Sequence, residues 1–412
     1  MNMIRRTSTA LNTTFASLKY RNFRYFWFGQ CISLTGTWIQ RTAEVWLVYT
    51  LTKSPLLVGV LGVCQFIPML LFSLFAGVFV DRYPKKKILL LTQTVFMSLA
   101  FILTGLTYFH VIRYWHVFIL CAIFGLTQTV DMPARQSFFI EMVGRKDLMN
   151  AISLNSTIVN LAKIVGPAIS GILMVRFGPV LCFLLDGLSY IAVLLGLLMI
   201  STADLVVQRQ HRNVLSEIQE GIRYIKKNET LVYNVIAMAI VCTFAMNNDV
   251  IIPVFAKTAL GKGADGYTAL MSAAGIGSLC AALVMANISK KGIRKQLLII
   301  DGLGTSLLLV SAGFTRVYWI SLLLVAVIGF SNLVFINTAN SIFQLNSTDE
   351  YRGRVMSVYA FLNQGSTPVG NFFAGTVMEH LGGGAGFAAC GLTTLLLMLP
   401  LTFKRSKRSD AA

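Results

Sequence analysis

Five charged side chains fall inside long apolar stretches of this 412-residue sequence: Arg41, Glu44, Lys163, Asp186 and Asp249. A charge at the centre of a bilayer costs roughly 2.5–3.5 kcal/mol on insertion scales, so those that persist usually face a cavity or one another and carry function. The chemistry open to the three carboxyls is proton uptake and release, because partial desolvation moves a carboxyl toward the neutral form. For Glu44 two readings stand side by side: proton exchange, or a structural pair with Arg41 three residues earlier on the same helical face. No basic residue lies one helical turn from Asp249 in the sequence, which favours proton exchange there. Asp186, about 9 Å into its stretch at ~1.5 Å per residue, is expected to pair with Lys163. Asp301 sits near the end of its stretch and reads as interfacial.

Other chemistry finds no support. The four histidines (110, 116, 211, 380) stand at loops or stretch ends, and neither an H-E-x-x-H nor a G-x-S-x-G pattern occurs. Gly261-Lys262 lacks the preceding glycine of a phosphate-binding loop, and Gly275-Ile-Gly277 lies within an apolar stretch, where it serves helix packing. The seven cysteines are scattered without C-x-x-C pairing, so they read as reduced packing residues and not as a metal site. An enzyme, a metal centre and a bound cofactor are all unexpected.

The elements that hold these charges follow from composition. Apolar residues make up 55% and charged residues only 13%, about half the usual charged share of a soluble domain. Apolar runs near 24–51, 55–80, 88–109, 114–134, 151–175, 180–201, 231–256, 266–288, 297–314, 318–341, 355–379 and 385–403 approach or exceed the ~20 residues that span a bilayer. Without water to satisfy the backbone, such runs must be helices. The expected fold is an all-α membrane protein of twelve transmembrane helices. With both termini in the cytoplasm, 27 of the 35 Lys and Arg residues fall on the cytoplasmic side and 6 outside, a strong positive-inside bias. The net charge of +18 is thereby assigned to orientation in the lipid bilayer, not to a nucleic-acid partner.

The two halves repeat at an offset of about 204. Tyr114-Trp115 recurs as Tyr318-Trp319, and Val165-Gly166, Gly171, Met174 and Gly178 recur as Val369-Gly370, Gly375, Met378 and Gly382. Two pseudo-symmetric six-helix bundles are expected, 1–201 and 231–412, joined by a cytoplasmic linker at 202–230 whose apolar spacing suits an amphipathic helix on the membrane surface. The offset brings Glu44 and Asp249 to equivalent heights in the first helix of each half. Ser33, Thr37, Gln40 and Glu44 form one polar stripe, and Ser156, Asn160, Lys163 and Pro167 another; stripes of this kind point inward.

Motifs connect these features to a family. Gly77-Val-Phe-Val-Asp81-Arg82-Tyr-Pro-Lys85-Lys86-Lys87 resembles the loop signature of the major facilitator superfamily, with Pro84 where that signature carries glycine. Trp46-Leu-Val-Tyr49, Asp131-Met-Pro133-Ala-Arg135-Gln136, Asn160-Leu-Ala-Lys163-Ile-Val-Gly166-Pro167 and Arg352-Gly353-Arg354-Val-Met-Ser357 resemble its bacterial exporter branch, the branch of the enterobactin exporter and macrolide-efflux proteins. The resemblance implies a cytoplasmic latch formed by Gly77, Asp81, Arg82 and Lys85, with Asp131 as the acid for Arg82 and Arg135 beside it. It also implies a central cavity lined by Gln40, Arg41, Asn160, Lys163, Asn248 and Gln364, with Glu44, Asp249 and Asp186 as candidates for proton coupling.

On this reading the chain is a secondary transporter in a bacterial inner membrane that exports a small drug-like or siderophore-like molecule by alternating access. Protons are the expected coupling ion, and a monomer suffices. A lipid or lysolipid flippase of the same fold and a non-transporting sensor remain open alternatives. Gly166-Pro167 either packs its helix tightly or lets it bend as a gate, with packing the plainer role.

Overall fold

The computed structural model describes residues 16–201, 214–288 and 295–409. All regular structure among them is helical. A single 3-10 turn at Ala16–Lys19 precedes α1 (Arg21–Thr52), α2 (Pro55–Arg82) and α3 (Lys85–Tyr108). A helical run at Tyr114–Phe177 follows, broken at Gly144 into α4 (Tyr114–Gly144) and α5 (Lys146–Phe177). Gly144 takes φ 70° and ψ 174°, a backbone geometry that a side chain would resist, so the chain turns there without leaving a long loop. Then come α6 (Pro179–Met199), α7 (Val214–Lys227), α8 (Glu229–Phe244), α9 (Asn248–Thr258) and α10 (Ala264–Ile288). The chain ends with α11 (Lys295–Phe314), α12 (Tyr318–Leu345), α13 (Asp349–Gly365), α14 (Thr367–Leu381) and α15 (Gly383–Ser409).

Among the described residues, ten helical segments are long and apolar enough to cross a membrane. Each matches one of the twelve expected spans, and the remaining two depart for identifiable reasons. The stretch at 24–51 is the unbroken 32-residue α1, long enough to span but diluted by its polar stripe and by Arg41 and Glu44. The stretch at 355–379 is divided between α13 and α14 around Ser366. Span seven is interrupted as well, at Ala245–Asn247 between α8 and α9.

Packing sorts the described residues of Met1–Glu44 and Ile67–Gln210 into one compact unit, and those of Val45–Phe66 and His211–Ala412 into another. In the first, Phe23 and Phe26 of α1 meet Phe138 and Phe139 of α4 edge to face, with centroids 5.8–6.0 Å apart. Leu89, Val193 and Leu197 complete this fully buried core. Ser170 of α5 donates to the carbonyl of Ile39 at 3.0 Å, tying α5 to α1.

In the second unit, Ser278 of α10 donates to the Gly329 carbonyl of α12 at 2.9 Å. The hairpin formed by the end of α1 and the start of α2 packs on α14. Ser54 Oγ and the Leu56 amide both donate to Glu379 Oε2, at 2.8 and 3.1 Å, so a carboxylate from α14 caps the positive end of α2. Trp46 stacks on Tyr267 with centroids 5.5 Å apart and planes 11° from parallel.

The linker helix α7 is docked, not merely laid on a surface. Tyr224 stacks on Tyr351 at 4.6 Å, and Glu220 pairs with Arg354 at 2.8 Å, so the N-terminal end of α13 occupies one side of α7.

The sequence repeat has a structural counterpart inside each unit. A Cβ added at Gly166 of α5 would lie 2.5 Å from Trp38 Cβ and 3.2 Å from the Ile39 nitrogen of α1. One added at Gly370 of α14 would lie 1.8 Å from the Thr243 carbonyl oxygen of α8. Ile39 and Thr243 differ by the same offset as the two glycines, so equivalent helices cross at equivalent residues. Small residues allow that approach because helices in lipid gain their association from close van der Waals contact.

Candidate functional site

In the first unit, Asp186 of α6 is the most enclosed of the membrane-embedded acids, with no exposed surface. Its Oδ1 lies 3.4 Å from the hydroxyls of Thr37 and Ser189, and Thr37 is 3.1 Å from the Tyr190 hydroxyl. Its Oδ2 accepts no hydrogen bond. α1 can come this close because position 36 is glycine: a Cβ there would lie 2.5 Å from Ser189 Oγ. Glu44, half-buried, lies on the same polar stripe of α1 as Thr37, two turns further along the helix.

The cations of this unit gather on an indole. The Arg41 guanidinium carbon stands 5.1 Å from the centre of the Trp38 ring, and Lys163 Nζ stands 5.4 Å from it. The pairing expected between Asp186 and Lys163 is not what fills the Asp186 carboxyl, whose oxygens meet only hydroxyls or nothing. Trp38 and Lys163 are neighbours because Gly166, one turn beyond Lys163, seats α5 on Trp38. Asn160 and Lys163 are both exposed, and Gln40 is half-buried with an unpartnered Oε1.

In the second unit, the break in span seven puts Asn247, Asn248 and Asp249 at the start of α9. Asn247 is 1% exposed; its Nδ2 donates back to the Thr243 carbonyl at 2.8 Å and reaches Cys390 Sγ at 3.8 Å. Asn248 and Asp249 are half-buried in the first turn of α9, where a carboxylate is favoured by the helix dipole. The side chain of Gln364 lies outside the described residues.

Around the 82–87 loop, Asp131 meets a different cation from the one expected. Its carboxylate is held by Arg135 one turn along α4, with Arg135 Nε at 3.0 Å. Thr92 Oγ1 and Gln93 Nε2 donate to its other oxygen at 2.7 and 2.9 Å. Arg135 also donates to Gln30 of α1. Arg82 is exposed, so the nearer Arg135, pre-positioned at i+4, takes the acid. Pro84 occupies the N-cap of α3 with φ −57° and ψ 124°, turning the chain where the family signature uses glycine. Lys85 is buried, its Nζ 3.4 Å from the Tyr83 carbonyl, and Lys86 donates to the Ile200 carbonyl at 2.7 Å. The surroundings of Gly77 and the side chain of Asp81 lie outside the described residues. In the first turn of α5, Asp147, 2.7 Å from Lys19 Nζ, holds that ammonium above its usual range through a hydrogen bond.

One polar network escaped sequence reasoning. Ser331 of α12 donates to Asp301 Oδ1 at 2.7 Å and contacts the fully buried Thr305 at 2.7 Å, while Asp301 Oδ2 is buried without a partner. The signal available was Thr305, four residues from Asp301 on the same face of α11.

Among the described residues, no group of three or more His, Cys, Asp or Glu side chains could hold a metal ion. The sequence matches the family described as transmembrane secretion effectors over residues 12–411. It is 23% identical to the staphyloferrin A transporter of Staphylococcus aureus, covering 93% of this chain and 96% of that one. It is 21% identical to macrolide efflux protein A of Streptococcus pyogenes, again covering 93% and 96%. The structure superposes on that of the nucleoside transporter NupG with a TM-score of 0.72 at 12% identity, covering 92% of this chain and 98% of that one, a likeness of fold alone.

Proposed function

Because the chain belongs to the transmembrane secretion effector family of the major facilitator superfamily, and is therefore a multi-pass membrane transporter and not an enzyme, we propose that it exports a small organic molecule in exchange for protons. The two bundles suggested by the repeat carry the cargo by alternating access, with both termini in the bacterial cytoplasm. The named activities of the relatives, staphyloferrin A transport and macrolide efflux, support a cargo of that general size.

The observation that carries the proton reading is Asp186, wholly buried beside α1 with one oxygen left without a donor. An uncompensated buried charge is costly, so the charge state of this carboxyl changes as the α1–α6 contact opens and closes to water. Glu44, two turns along the same face of α1 from Thr37, passes the proton on toward the cargo, and Asp249 at the start of α9 is its counterpart in the second half. The polar stripe of α1, Gln40 included, and Asn160 and Asn248 contact the cargo.

The driving force is adequate. One proton entering down ~100 mV releases about 2.3 kcal/mol and one pH unit adds about 1.4, together enough for a cargo gradient of roughly 500-fold. The test is reconstitution into liposomes with an imposed pH or sodium gradient and a panel of siderophores and antibiotics. Flux that follows the pH gradient supports the reading; flux that follows sodium and ignores pH replaces the proton with another ion, and flux of no cargo refutes export.

A further inference from the structure

The linker helix α7 has two sides of opposite character, and only one of them is docked. At 3.6 residues per turn, Glu220, Gly221, Tyr224 and Ile225 share one arc, while Gln219, Ile222, Arg223, Lys226 and Lys227 share another about 140° wide. The first arc meets α13. Tyr224 stacks on Tyr351, Glu220 pairs with Arg354, and a Cβ added at Gly221 would lie 3.0 Å from Arg354 Cβ. Every residue of the second arc is exposed. We propose that this basic face of α7 is a binding surface for anionic phospholipid headgroups, presented to the membrane by the dock on α13.

Charge selects that partner. Arg223, Lys226 and Lys227 bring three positive charges to an arc that carries no acid, and none of the three forms an ion pair among the described residues. The helix dipole favours cations in the last turn, which accounts for Lys226 and Lys227 but not for Arg223. Arg223 stands three and four residues from those lysines, the spacings at which like charges repel on a bare helix. A phosphate relieves that repulsion: the guanidinium grips it through two parallel hydrogen bonds, and each ammonium acts on it as a point charge.

Depth selects it as well. Lys227 is two residues ahead of Glu229, where the membrane-crossing segment Glu229–Thr258 begins. Asn228 separates the two helices, and its Oδ1 accepts from the Thr230 and Leu231 amides at 3.0 and 3.3 Å. Both lysines therefore stand at the level of the headgroups, with Arg223 about one 5.4 Å turn behind them on the same face. Ile222, exposed at the edge of the arc, supplies the apolar group that an interfacial helix buries at the acyl boundary. The inference concerns neither cargo nor coupling ion, so it stands or falls apart from the flux experiment above.

The test uses the full-length protein in nanodiscs of phosphatidylcholine and phosphatidylglycerol in equal parts. Native mass spectrometry reads the ratio of the two lipids retained on the released protein, and hydrogen exchange across α7 reads where they act. The wild type should retain phosphatidylglycerol in preference, and its α7 should exchange severalfold more slowly than in phosphatidylcholine alone. Arg223→Gln, Lys226→Gln and Lys227→Gln should each lower the preference by about fivefold at unchanged melting temperature, and together abolish the slowing of exchange. Lys226→Arg should keep both, and raised ionic strength should erase the preference of the wild type. Lys257→Gln, an exposed cation at the far end of the same membrane-crossing segment, should change neither reading. Preference unmoved by the three Gln variants, or lowered as much by Lys257→Gln, overturns the assignment. Inorganic phosphate that slows α7 exchange in phosphatidylcholine alone as strongly as phosphatidylglycerol does would mark a free-anion site and overturn it too.

Discussion

Replacing Gly370 with alanine adds one methyl group at the crossing of α14 and α8, and the structure sets its consequence. The new carbon would lie 1.8 Å from the Thr243 carbonyl oxygen and 2.5 Å from Asn247 Oδ1. The first of these is backbone and cannot rotate away, so the helices must separate by more than an ångström. Overpacking of this kind costs about 1–3 kcal/mol, and a rigid backbone obstacle places it at the upper end. Alanine in a helix interior returns only about 0.5–1 kcal/mol over glycine, so the net effect is destabilising. Gly304 of α11 provides the control, since a Cβ there meets nothing within 4 Å and only the favourable helix term remains. The assay is thermal unfolding of the purified protein in detergent. Gly370→Ala should lower Tm by several degrees, Gly166→Ala should do the same in the first bundle, and Gly304→Ala should leave Tm unchanged or raise it. A Gly370→Ala protein as stable as the wild type would refute the claim that equivalent glycines set the two crossings.

Arg135→Ala should cost about 3–5 kcal/mol and sharply reduce the yield of folded protein, because it strands the buried Asp131 carboxylate with Thr92 and Gln93 alone; unfolding yields compared with those of Arg135→Lys check this. Glu379→Ala should cost about 1 kcal/mol by uncapping α2, read as faster hydrogen exchange at Leu56 and Leu57, with Glu379→Gln in between. In α7, Tyr224→Ala should loosen the helix more than Glu220→Ala. The Glu220 carboxylate is 44% exposed and its pair with Arg354 contributes at most about 1 kcal/mol, whereas Tyr224 loses a whole stacked face; exchange across α7 measures the difference.

How much the sequence disclosed depended on whether a feature was local. Apolar length alone marked ten of the spans, because lipid leaves a long apolar run no choice but helix. α1 and the α13–α14 pair fell short in the structure on apolarity and continuity, because α1 carries a polar stripe with Arg41 and Glu44 and the second stretch breaks at Ser366. The repeat was legible through Trp and Gly at a constant offset, and Gly166 and Gly370 showed why those glycines recur. The charged residues stood out because they are rare in lipid, but their partners did not. Sequence alone pairs Asp131 with Arg82 across a loop, whereas Asp131 lies with Arg135 one turn away; it pairs Asp186 with Lys163, whereas Asp186 lies among hydroxyls. Which of several candidates an acid meets depends on helix rotation, which composition does not encode. Position along α11 puts Asp301 near the interface, and only the approach of Ser331 from α12 draws it into a buried network.

Counterflow tests the coupling claim most directly, because it separates cargo movement from proton movement. Liposomes containing Asp186→Asn should exchange labelled cargo across the membrane at close to the wild-type rate yet fail to accumulate it when a pH gradient is imposed. Accumulation by Asp186→Asn equal to that of the wild type would contradict the proposal that this buried carboxyl carries the proton.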